Sequence, residues 1–290
     1  MTKHGFLTNP KVVAWLDGIE PAWTLLDFDS ISAISDHDPV KRGAIAFDLT
    51  LPAEVFSGSA VLRNAGLLLT HAAAEEGLTL TATGNLTRRL VAALTGAMTW
   101  PGYDVQEVLR FCKVVNERDV MPLHFLRLLL QEARLLRKSK DRLVLTKRGR
   151  MLAQADNAAA LQAELLSATF NRLNLGYFDR VPLEGWPQSH WGLAVWCLAV
   201  GAHDWSAPAR LMRLATIPVN AVLEATWDFP SAALEARILR PLCWFGLLEM
   251  REPERRADDR WQPPDYRASD ILLRFVRFNV AVEPQTSVRH

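Results

Sequence analysis

Between Asp119 and Met151 the chain reads "DVMPLHFLRLLLQEARLLRKSKDRLVLTKRGRM", and little freedom is left in how this run can fold. Leu123, Leu126, Leu130 and Ala133 fall at i, i+3, i+7 and i+10, with Phe125 and Leu129 beside them. That period predicts a helix with a core-facing stripe. Asp119 ahead of Pro122 supplies its start. His124, Arg127, Gln131 and Arg134 follow the same spacing on another face. "LLR" then closes the helix and opens a strand, "KSKD" turns, and "RLVLT" alternates as a return strand. Upstream, Asp104 and Glu107 are spaced as a capping box for a helix over about 105–115. Helix, helix, strand, charged turn, strand, helix is the order of a winged helix-turn-helix.

A short pattern occurs twice, as "LTATGNL" (80–86) and "LTKRGRM" (145–151). Each is Leu-Thr-x-x-Gly followed by one residue and an apolar one. Each reads as a strand running into a helix. Thr81 or Thr83, and Thr146, are the expected N-caps. Gly84 and Gly149 then sit in the first helical turn, where a missing side chain permits close packing. Residues 59–95 read as helical with a short strand at 78–81, as a helical unit packed on the first winged helix.

The C-terminal part repeats the plan more loosely. "HWGLAVWCLAVGA" is an apolar helix, Ser206 caps "APARLMRLA", and Ser231 caps "AALEARILRPLCWFG", which Pro241 should kink or end. "LLEM" and a second strand near Trp261 flank the turn "REPERRADDR", and Ser269 caps "DILLRFVRF". That turn balances four bases with four acids, whereas the first is strongly positive. The expected fold is therefore mainly α: tandem winged-helix-like units, each of helices plus a short β-hairpin wing, with a helical N-terminal part. The expected boundaries are 1–100 for an acidic N-terminal segment and helical unit, 101–155 for the first winged-helix-like unit, 156–185 for a connecting helix, 186–282 for the second unit, and 283–290 for a tail.

Charge is placed unevenly. The whole chain carries +1, yet eight of the seventeen residues at 134–150 are Lys or Arg, opposed by Asp141 alone. Any affinity for nucleic acid must then come from a local patch. Hydrophobic residues make up 49% and charged residues 22%, the balance of a globular protein. The most apolar run, 191–202, is too short to cross hydrocarbon, and no apolar core follows the N-terminus, so a cytoplasmic protein without a membrane partner is expected. Cys112, Cys197 and Cys243 are odd in number and far apart, which fits reduced thiols rather than a disulfide frame or zinc site.

The runs "GLTLTATGNLTRRLV" (77–91), "VNERDVMPLHFLRLLLQEARLLR" (115–137) with "RLVLTKRGRMLA" (142–153), and "RILRPLCWFGLLEM" (237–250) resemble an uncharacterised family of bacterial proteins. The resemblance covers about residues 60–280. It implies a mainly helical protein with winged-helix-like parts and brings no activity or catalytic residue. One departure concerns the end of the 122–134 helix, where Arg134 stands in place of the expected glycine while the later copy keeps Gly246.

The basic stretch is the best candidate site. In the expected hairpin Lys138 and Lys140 lie at the turn, Arg137 and Arg142 flank it, and Lys147, Arg148 and Arg150 sit at a helix start, where N–H groups also favour phosphate. His124, Arg127 and Gln131 share a face leading to Arg134. A recognition helix beside a basic wing needs this layout. The leading expectation is a DNA-binding protein of the regulator kind. The other is a non-catalytic protein-interaction or scaffolding module, with the charges as a solvated face. Leu128, within the polar face, fits a thymine methyl or a protein contact. Asp36, His37 and Asp38 are adjacent and read as a polar turn rather than metal ligands, and Trp191 and Trp196 read as core. No Gly-rich phosphate loop, Cys-x-x-Cys, His-Glu-x-x-His or Gly-x-Ser-x-Gly is present, so neither an enzyme nor a cofactor is expected.

Overall fold

Two units account for the chain in the computed structural model, which describes residues 3–104, 107–108, 110, 114–225, 227–253 and 262–283. One is Leu49–Leu173 with Trp244–Gly246. The other combines the described residues before Leu49 with Asn174–Cys243 and those from Leu247 onward. Both are mainly helical with short antiparallel strands.

In the first unit, Ser59 Oγ accepts the N–H of Leu62 and starts helix α1 (Ala60–Ala74), whose Val61, Ala65, Leu68, Leu69 and Ala72 are buried. There follow strand β1 (Leu78–Thr79), α2 (Arg88–Ala97), α3 (Met121–Glu132), the hairpin β2 (Leu136–Ser139) and β3 (Arg142–Leu145), α4 (Lys147–Leu152) and α5 (Ala158–Asn171). The three strands form one antiparallel sheet in the order β1-β3-β2, with Leu78 opposite Leu143 and Leu136 opposite Leu145.

The pairing of β1 with β3 corrects a boundary. Residues 60–95 supply a strand to the same sheet as the hairpin, so they form one unit with 121–173 rather than a separate helical unit ending at 100. Nor is α5 a connector: it packs on α1 and α3 and buries Leu161, Leu165, Leu166 and Phe170. Most of the helix expected over 105–115 lies outside the described residues.

The two Leu-Thr-x-x-Gly strings fold differently. Thr146 Oγ1 accepts the Gly149 N–H at 2.9 Å and caps α4. A Cβ on Gly149 would lie 2.2 Å from the Leu135 carbonyl oxygen, so only glycine fits there. Gly84 instead sits at φ 82° in a tight turn whose ends are bridged between Leu80 and Leu86, and the following helix begins only after Thr87.

The second unit is built around helix Trp191–Gly201, whose faces are apolar all round and buried from Trp191 through Ala199. Helix Pro208–Ala215 packs on it. Ala207, not Ser206, is its N-cap, because the Ser206 backbone bridges to Tyr266 instead. Helix Phe229–Leu234 starts two residues before Ser231, after Asp228. It passes into a π-helical turn at Glu235–Leu239 just ahead of Pro241, where the absent N–H breaks the regular ladder. Strands Leu248–Arg251 and Asp265–Ala268 make a hairpin, helix Asp270–Phe275 follows, and strand Val276–Phe278 pairs with Ile45–Phe47. Trp261 and most of the expected charged turn lie outside the described residues. Residues 1–48 therefore belong with the C-terminal part, not with 60–100.

A hydrogen-bond pattern recurs. Leu135 N–H donates to Leu130 O and Thr146 N–H to Leu135 O; likewise Leu247 N–H donates to Leu242 O and Ser269 N–H to Leu247 O. The residue before each leucine is left-handed, Arg134 at φ 57° and Gly246 at φ 73°.

Candidate nucleic-acid interface

Lys138 lies within β2 opposite Leu143 rather than at the turn. Leu136 and Leu143 face the core, while Arg137, Lys138 and Lys140 are exposed, with Lys140 in the turn at φ 55°. Lys147, Arg148 and Arg150 project from α4 and are exposed. Arg134, Arg137, Lys138, Lys140, Lys147 and Arg150 make no ion pair among the described residues. Arg148 is partnered by Glu164, whose other oxygen takes Arg172 Nη1 at 3.0 Å. Arg142 is half-buried and donates Nη1 to the Glu75 carbonyl oxygen at 2.6 Å. The Thr146 cap already uses one N–H at the start of α4.

The residues on α3 are placed otherwise. Helix α3 is buried around most of its circumference, and His124 and Arg127 go inward with the leucines, 7% and 9% exposed. Both meet Glu117, which is fully buried. One Glu117 oxygen lies 2.6 Å from His124 Nδ1 and accepts from Arg127 Nε at 2.6 Å; the other accepts the Leu86 N–H at 2.6 Å. Arg127 Nη1 donates to Gln131 Oε1, also at 2.6 Å. Gln131 and Leu128 are half-buried. His124, Arg127 and Gln131 thus join a buried network, apart from the exposed hairpin cations.

Burial pushes the Glu117 carboxyl up, but hydrogen bonds from His124, the Leu86 N–H and Arg127 outweigh it and hold the group below its ordinary value. Glu117 carries no motif. Its trace in the sequence is indirect: a His and an Arg three apart inside an otherwise apolar helix call for a buried acceptor nearby.

Elsewhere, Asp36 and Asp38 accept the backbone N–H groups of Asp38 and Lys41 in a turn, and no group of three or more candidate metal ligands exists among the described residues. Trp191 and Trp196 are core. Cys197 is buried and Cys243 half-buried, while Cys112 lies outside the described residues. Among the described residues no helix is long and apolar enough to cross a membrane.

Residues 57–158 match the sequence model of the Y4jL N-terminal domain. That span takes in α1 through the start of α5, including the whole sheet and the basic hairpin. An uncharacterised protein, y4jL, of Sinorhizobium fredii is 36% identical over 97 residues, which are 33% of this chain and 44% of that protein. The chain thus covers less than half of that relative. The likeness supports a bacterial family without an assigned activity. No solved structure matches.

Proposed function

We propose that the first unit is a winged-helix-like module that contacts duplex DNA through its β2–β3 hairpin and the start of α4, as part of a regulator. The observation that carries the reading is the set of exposed cations without ion-pair partners among the described residues: Arg134, Arg137, Lys138, Lys140, Lys147 and Arg150. The order helix, strand, helix, helix and hairpin, with strand order β1-β3-β2, supports a winged-helix reading. The second unit has a comparable order, with Ser206 bridged to the second strand of its own hairpin, which makes the reading a tandem one.

Two of the cations sit at unfavourable backbone positions. Arg134 and Lys140 are left-handed, where glycine or asparagine is cheaper. Strain held at charged, exposed residues points to a use for the charge. Because His124 and Arg127 are engaged with Glu117, the contacts proposed are to phosphates rather than base edges. With about four to six phosphates engaged, log affinity falls against log salt with a slope of about −4 to −5. Fluorescence anisotropy of a labelled duplex tests this. The triple variant Arg137→Ala, Lys138→Ala, Lys140→Ala should lose most of the binding, and equal binding by both proteins would refute the reading.

The second reading is a non-catalytic protein-interaction module. It is favoured by Trp227 and Phe229 in the other unit, 74% and 39% exposed.

A further inference from the structure

A cavity of about 330 Å³ opens in the first unit beside β1. Its polar lining comes from His71 and Glu75 at the end of α1, Thr79 of β1, Thr87 and Arg89 at the start of α2, and Arg142 of β3. The volume lies at the small end of ligand sites.

Positive groups dominate this lining. Arg142 spends one donor on the Glu75 carbonyl and keeps the rest of its guanidinium. Arg89 has no side-chain hydrogen bond or ion pair among the described residues. Glu75 alone opposes them in the lining. The ten-residue helix α2 adds its positive end. Thr87 occupies its N-cap, yet the hydroxyl lies 2.9 Å from the Thr79 hydroxyl and does not cap the first turn. Among the described residues the N–H groups of that turn therefore lack a side-chain acceptor, and they lie beside two guanidinium groups.

We propose that this cavity binds a phosphate group, carried either by a small phosphorylated molecule or by a nucleic-acid backbone. Two guanidinium forks and an uncapped helix start call for a compact oxyanion, and phosphate oxygens match the fork geometry. His71 adds a ring nitrogen at the α1 side. The site needs none of the exposed cations assigned to the proposed DNA interface.

The test is calorimetric titration of the full chain with inorganic phosphate at constant ionic strength against a chloride control. It involves no nucleic acid, so its failure is distinct from failure of the DNA reading. Wild type and the double variant Lys138→Ala, Lys140→Ala should bind phosphate equally and saturably. Arg89→Gln, at an exposed position that leaves the core intact, should bind about tenfold more weakly, as should Arg142→Gln. The source is then separated with a labelled duplex. If Arg89→Gln also weakens duplex binding, the phosphate is that of the backbone; if duplex binding is unchanged, it belongs to a free ligand. Absence of saturable phosphate binding by the wild type, or undiminished binding by Arg89→Gln, overturns the proposal.

Discussion

Glu117 is the residue on which the interior of the first unit turns. A carboxylate with no exposure is tolerated because three donors converge on it, one of them the charged Arg127. Glu117→Ala leaves Arg127 buried without its partner and should cost about 3–5 kcal/mol in chemical denaturation. The pH dependence follows from the lowered pKa. At neutral pH the carboxylate is charged in both states, and the native hydrogen bonds contribute in full. As pH falls below about 4.5, its ordinary value, the unfolded chain takes up the proton first. The stabilisation is lost as pH drops through the still lower folded value. Denaturation midpoints of the wild type should therefore fall more steeply in that acid range than those of Glu117→Gln. A second prediction concerns Arg134, which at φ 57° pays the left-handed strain that Gly246 avoids at the matching position. Arg134→Gly should raise stability by about 1 kcal/mol while weakening duplex binding. The departure from glycine at 134 is visible in the sequence; the partners of Glu117 are not, because they come from positions 86, 124 and 127 brought together only by the fold.

At the scale of elements, the leucine stripe of α3 and the strand-turn-strand after it are legible because each follows a single period. The second face of α3 is not. His124 and Arg127 recur at helical spacing as solvent-facing residues would, yet α1, α2 and α5 all pack on this helix and bury both side chains. Periodicity reports what differs between two faces, and here both are inside. The Leu-Thr-x-x-Gly string teaches the same caution: one copy caps a helix and the other makes a turn. The two glycines should respond differently. Gly149→Ala drives a methyl group into the Leu135 carbonyl and should cost about 3 kcal/mol or more, whereas Gly84→Ala meets open space and should cost only about 1 kcal/mol for its positive φ. Thermal melts of the two variants check this directly.

At the scale of the whole molecule, the order of elements was readable but their grouping was not. β1 is two residues long and joins a sheet completed more than sixty positions later, and the N-terminal helices fold with a segment that starts beyond 173. Short strands and discontinuous units leave almost no local trace. Net charge says little either, since +1 over the chain conceals a hairpin and helix start rich in exposed cations. The central claim is that these cations contact DNA phosphates, and the salt dependence of duplex binding tests it most directly. Measured by anisotropy over a series of salt concentrations, the wild type should give a log–log slope of about −4 to −5. The triple variant Arg137→Ala, Lys138→Ala, Lys140→Ala should give a slope shallower by roughly one for each cation lost. A wild-type slope near zero, or the same slope for both proteins, contradicts the account.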